Sequence, residues 1–142
     1  MLGFRVQKFL NSNHDTATAT MLEFTALNFG DKVLDVGCGF GNMVEKLKLF
    51  RLDITGFDIN QKRISHCQKR FPSEDYPRIR FFRENILSDI KDEFINKFDH
   101  IYCHGLLHHL NDNNCNLALK NISYLIKPGG RFVAIEDIRT GD

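Results

Sequence analysis

Val33-Leu34-Asp35-Val36-Gly37-Cys38-Gly39-Phe40-Gly41-Asn42 carries the chain from a strand into a glycine-rich turn. It opens as a short apolar run broken by one acid, which suits a buried strand. It then enters a turn with glycine at every second position. Glycines directly after a strand let the chain turn tightly and bring bare backbone against a ligand. A dinucleotide-binding turn reads G-x-G-x-x-G. Here the spacing is G-x-G-x-G, with Asn42 following the third glycine. Asp35 stands two residues before the first glycine. An acid there sits badly beside a pyrophosphate and well beside a cation.

Outward from this turn the chain alternates between strand-like and helix-like segments. Upstream, residues 15–27 have helical spacing (Ala19, Leu22, Glu23, Ala26), with Asn13 or Asp15 as a cap. Residues 32–36 form the first strand. Residues 41–50 read as a helix with Met43, Val44, Leu47 and Phe50 on one side. A second strand over 53–58 leads to a second helix over 60–71, stopped by Pro72. Residues 78–84 alternate charged and apolar side chains, as a half-exposed strand would. Residues 98–103 form a fourth strand. A helix over 112–126 ends at Lys127-Pro128-Gly129-Gly130, a strong stop signal, and residues 131–136 form a fifth strand.

Strand and helix in regular alternation predict a parallel sheet covered by helices on both faces. Right-handed crossovers leave few topologies. The expected fold is a three-layer α/β/α doubly wound, Rossmann-like sandwich, with a mainly parallel five-stranded sheet ordered 3-2-1-4-5. Ligands in such folds sit outside the carboxyl ends of the strands. Those ends carry Asp35-Val36-Gly37, Asp58, Asn85, His104 and Glu136.

The length, 142 residues, predicts a single domain: an N-terminal helical extension over 1–30 and a core over 31–137. Lys plus Arg is 19 and Asp plus Glu is 18, so no basic excess points to nucleic acid or an anionic membrane. No run approaches the roughly 18 apolar residues of a membrane span, and the N-terminus has no apolar signal core. No two of Cys38, Cys67, Cys103 and Cys115 form a CxxC pair. The expectation is a soluble, cytoplasmic protein with free thiols.

The stretch VLDVGCGFGN resembles the first signature motif of class I S-adenosylmethionine-dependent methyltransferases, in the small-molecule group. The similarity runs from about Asp15 to Asp137. It continues through Asp58, Asn85, FDHIYCHGLLHHL at the fourth strand and LIKPGGRF before the fifth, in family order and spacing. The resemblance implies S-adenosylmethionine as cofactor and S-adenosylhomocysteine as product. It places the methionine part on Asp35, Gly37, Cys38, Gly39, Gly41 and Asn42, with His104 nearby. It places the ribose diol on Asp58, for which two charge-assisted hydrogen bonds suit a carboxylate. Asn85 and Ile86 would meet adenine, with Ile59 packing beside it. Taken singly, Asp58 also reads as a cap for the following helix, and Asn85 as a turn residue. Cys38 reads as a small residue tolerated in the loop.

Methyl transfer needs the acceptor held in line with the methyl group. It needs a base only when the acceptor loses a proton. His108, then His104, are the candidate bases, because segment 107–115 resembles that of some O-methyltransferases in which the histidine matching His108 is the general base. The other reading makes these histidines structural or cofactor contacts. His104 and His108 are four apart beside Cys103, but no carboxylate or second cysteine completes a ligand set, so no metal is expected. Glu136 and Asp137 either line the acceptor pocket or are solvated.

The family fold has seven strands, and this sequence stops after the fifth. The expectation is therefore a truncated version of that fold, its fifth-strand edge open to a homodimer or partner chain. Three functional readings stand: methyl transfer to a small-molecule acceptor, a fragment of a longer methyltransferase, and a cofactor- or partner-binding protein without catalysis.

Overall fold

The computed structural model describes residues 26–136. The helix expected over 15–27 falls almost wholly outside them, as does Asp137. The described elements are β1 (Lys32–Val36), α1 (Asn42–Leu47), β2 (Asp53–Asp58), α2 (Gln61–Arg70), β3 (Ile79–Arg83), β4 (Phe98–His104), α3 (Asp112–Leu125) and β5 (Ile126–Ile135). The sheet order is β3-β2-β1-β4-β5, and every pairing is parallel. This is the expected 3-2-1-4-5 order of a doubly wound sheet.

Neighbouring residues along the central strands point to opposite faces, as the pleat requires. Val33 and Tyr102 join Val44, Leu47, Ile64 and Phe71 in one core, beneath α1 and α2. Leu34 and Ile101 join Phe57, Phe94, Phe98, Ile122 and Leu125 in the other, beneath α3. Burial on both faces is why β1 and β4 are apolar runs rather than alternating ones.

The expected helix over 41–50 is corrected in two ways. Gly41 caps it with φ 88°, and the α-helix covers only Asn42–Leu47 before tightening into a 3-10 turn at Lys48–Phe50. That turn rotates Phe50 out of the apolar stripe, and its side chain is exposed. In β5, Lys127-Pro128-Gly129-Gly130 makes an excursion between the pairs Phe98↔Ile126 and His100↔Arg131. The stop signal is thus absorbed within the strand. A Cβ at Gly130 would lie 2.9 Å from the Asp99 carbonyl oxygen, so only glycine fits there.

Candidate active site

The glycine loop after β1 is tied to the end of β2. The Gly37 and Cys38 N–H groups both donate to the Phe57 carbonyl, at 2.8 and 2.9 Å. The Gly39 N–H donates to Asp58 Oδ2 at 2.9 Å. From α2, Arg70 Nη1 donates to the Phe40 carbonyl and to Asn42 Oδ1, both at 3.0 Å. Asn42 thus anchors the far end of the loop. Two glycines have separate reasons. Gly41, in the left-handed region, lies where a Cβ would stand 3.0 Å from Phe71 Cε2 and 3.3 Å from Cys67 Sγ. Gly39 is left-handed too, but nothing lies within 4 Å of its Cβ position. Its outer face is open to a ligand.

Two carboxyl groups flank this loop. Asp35 is buried. Burial first, and the nearby Asp58 second, push its pKa up to about 7. Asp58 is buried as well. Its Oδ1 accepts from the Asn60 N–H at 2.9 Å and its Oδ2 from Gly39. The capping of α2 falls to Asn60, whose side chain accepts from the Lys62 and Arg63 N–H groups. Arg63 Nη1 also stands 3.8 Å from Oδ2; a carboxylate has about four acceptor sites, so Asp58 still has room for further donors.

At the end of β3, Asn85 is exposed and its Oδ1 accepts from the Leu87 N–H at 2.9 Å. Its carbonyl oxygen therefore closes a turn, with its second lone pair open. Ile86 is buried in the α3-side core, whereas Ile59 is 63% exposed beside Asp58. Of the two isoleucines, Ile59 has the surface to offer a flat ring. The turn is held from below by Asn121 on α3, whose Nδ2 donates to the Ile86 carbonyl at 2.6 Å and the Ser88 carbonyl at 3.1 Å. The sequence reading missed Asn121. The signal was there, since Asn121 sits on the helix stripe of Ala118, Ile122 and Leu125.

His104 closes β4, half-buried, opposite Ile135. The chain then makes a 3-10 turn over Leu107–His109, and Glu136 organises it. Glu136 Oε1 accepts from the Leu106 and Leu107 N–H groups at 3.2 and 2.9 Å. Its Oε2 accepts from the His108 N–H at 3.1 Å and pairs with His108 Nδ1 at 2.5 Å. A carboxylate at Nδ1 fixes the neutral tautomer with its proton there, leaving the Nε2 lone pair as the basic one. Of the two readings of Glu136, the solvated one fails. The His109 ring lies tilted against that of His108, ring centroids 4.0 Å apart and planes at 43°, and is itself exposed.

Asp35, Asp58, the glycine loop, Asn85, His104 and the His108–Glu136 pair thus share the carboxyl-end edge of the sheet. A cleft of about 350 Å³ lies at the opposite end of β2 and β3, lined by Phe29, Arg51, Tyr76 and Arg78 among others. Among the described residues, no group of three or more His, Cys, Asp or Glu side chains is placed to hold a metal ion. No described helix is long and apolar enough to cross a membrane.

Residues 34–132 match the family model described as a methyltransferase domain. This chain belongs to that family. Ubiquinone biosynthesis O-methyltransferase from Chromobacterium violaceum is 33% identical over 101 residues, covering 71% of this chain and 42% of the relative. The enzyme of the same name from Coxiella burnetii is 35% identical over 103 residues, covering 72% of this chain and 42% of the relative. The chain therefore spans less than half the length of these relatives. Among solved structures, the [4+2]-cyclase SpnF superposes with a TM-score of 0.76 at 25% identity, covering 86% of this chain and 44% of that one. A TehB-like SAM-dependent methyltransferase from Corynebacterium glutamicum superposes with a TM-score of 0.67 at 25% identity, covering 82% and 60%.

Proposed function

We propose that this methyltransferase-family chain binds S-adenosylmethionine at the carboxyl ends of β1 to β4 and transfers its methyl group to a hydroxyl oxygen of a small molecule. The observation that carries the reading is the bond from the Gly39 N–H to Asp58 Oδ2. It puts an open-faced glycine and a carboxylate with spare acceptor sites on one surface, beside the buried carboxyl of Asp35. When bound, the cofactor supplies an activated methyl group on a positively charged sulfur. Asp35 attracts the cationic methionine end. Asp58 accepts from the ribose diol without giving up its two backbone donors. Asn85 accepts at its free lone pair, and Ile59 covers a ring face.

The names of the Chromobacterium and Coxiella relatives support an oxygen acceptor. A hydroxyl must lose its proton on methylation, so this acceptor needs a base. His108 Nε2 takes that proton. Glu136 stabilises the imidazolium that results and holds the ring in position. The test is turnover of labelled methyl groups on a panel of hydroxylated small molecules. His108→Ala lowers kcat by about 100-fold or more and leaves cofactor affinity unchanged. Equal turnover by this variant and the parent would remove His108 as the base.

A second reading follows from the superposition on SpnF, a protein named for a cyclisation. One fold hosts unrelated chemistries. Cofactor binding without production of S-adenosylhomocysteine, across the whole acceptor panel, would favour a non-methylating role.

A further inference from the structure

The thiols of Cys38 and Cys67 take no part in the chemistry above, yet they meet beneath the cofactor loop. Cys38 lies between Gly37 and Gly39, and Cys67 lies on α2. Both thiols are reduced and buried. They converge on one backbone atom: Cys67 Sγ donates to the Gly39 carbonyl at 3.1 Å, and Cys38 Sγ approaches the same oxygen at 3.9 Å. Gly39 is the residue whose N–H binds Asp58 and whose outer face is open. The thiol pair therefore acts directly on the peptide that carries the loop's bond to Asp58.

We infer that Cys38 and Cys67 form a redox-modification site, oxidised to an internal disulfide by low-molecular-weight disulfides of the glutathione type, and that this disulfide weakens cofactor binding. The thiols divide the work. A hydrogen bond from Cys38 stabilises the Cys67 thiolate and lowers its pKa, while that same contact and burial raise Cys38. The Cys67 thiolate attacks the external disulfide, forming a mixed disulfide and releasing one thiolate. Cys38 then attacks the Cys67 sulfur and releases the second. The two protons lost by the cysteines pass to the two released thiolates, so two cysteines and one external disulfide give one internal disulfide and two small thiols.

The consequence for the loop follows from bond lengths. A disulfide brings the sulfurs to about 2.05 Å, so the loop and α2 are drawn together. The Cys67 S–H that donated to the Gly39 carbonyl is gone. The oxidant reaches Cys67 only when the loop lifts, because that side chain is fully buried. A ligand resting on the loop opposes that opening. Binding and oxidation are then linked reciprocally: each disfavours the other by the same factor.

The test uses the full chain equilibrated in glutathione buffers of graded redox poise, with S-adenosylmethionine affinity measured at each step. Free thiols are alkylated and the peptides mapped by mass spectrometry. A Cys103→Ser/Cys115→Ser variant removes the other two thiols. The expected result is a linked Cys38–Cys67 peptide pair, two hydrogens lighter, with affinity about tenfold weaker, the scale of one lost hydrogen bond, and restored by dithiothreitol. Saturating S-adenosylmethionine shifts formation of the link to a more oxidising poise. Cys67→Ala forms no link, and its cofactor affinity does not respond to the poise. Two fully alkylated thiols at the oxidising end would overturn the site, and a linked chain with unchanged affinity would overturn its control of binding. Mapping reads the disulfide without the cofactor, so failure of the site is distinct from failure of the proposed cofactor binding.

Discussion

Asp35 is the residue at which burial and function pull in opposite directions. Its carboxyl group has a folded pKa of about 7, against 3.8 for the free group. Between those values the folded chain holds a proton that the unfolded chain has released. The stabilisation this gives is complete below about pH 4 and is lost as pH rises through about 7. Asp35→Asn lacks the titration, so the variant gains on the parent as pH rises. Thermal unfolding of the two without cofactor, at about pH 5 and about pH 8, checks this. The predicted result is a gap in favour of Asp35→Asn that widens at the higher pH, and parallel profiles would contradict it. With a cation beside it the charged form is the useful one, so S-adenosylmethionine affinity of the parent rises through the same range and that of Asp35→Asn does not. Asp35 was legible in the sequence by its place before the glycines. Its pKa was not, because it depends first on burial in the folded core and then on Asp58, a residue of the next strand.

At the scale of elements, the turn between β1 and α1 combines two kinds of glycine that look alike in sequence. Gly41 faces inward, against Phe71 and Cys67, and Gly39 faces outward into open space. An alanine in the left-handed region costs about 1–2 kcal/mol at either position. At Gly41 the clash adds to that cost, so Gly41→Ala destabilises the fold more than Gly39→Ala. Gly39→Ala puts its methyl group on the ligand face, so it loses more cofactor affinity for the stability it costs. Urea unfolding and cofactor titration of both variants separate the two roles. The reverse ranking would place the ligand face elsewhere. The elements themselves were readable because each is local: apolar runs of strand length, apolar side chains at helical spacing, and stops such as Pro72. The 3-10 ending of α1 was not readable, because apolar spacing alone does not distinguish one helical hydrogen-bond pattern from another.

For the whole molecule, the alternation of strands and helices was enough to predict a doubly wound parallel sheet, since few parallel topologies satisfy the crossover rule, and the strand order followed once the family resemblance was added. What stayed hidden was contact between distant residues. Glu136 meets His108 across 28 positions, and only the pairing of β4 with β5 brings them together. Asn121 reaches the β3 turn across 35 positions, from a helix on one face of the sheet. The candidate residues were legible as residue types at strand ends; the contacts that hold them were a product of packing. The central claim is that this assembled edge binds S-adenosylmethionine rather than a dinucleotide. Isothermal titration of the purified chain with S-adenosylmethionine, S-adenosylhomocysteine and NAD, repeated on Asp58→Ala with its fold checked by circular dichroism, tests that claim most directly. The expected result is saturable binding of the first two and none of NAD, with a loss in Asp58→Ala of roughly 1.5–3 kcal/mol for each ribose hydrogen bond removed. NAD binding in place of S-adenosylmethionine, or full affinity in a folded Asp58→Ala chain, would contradict it.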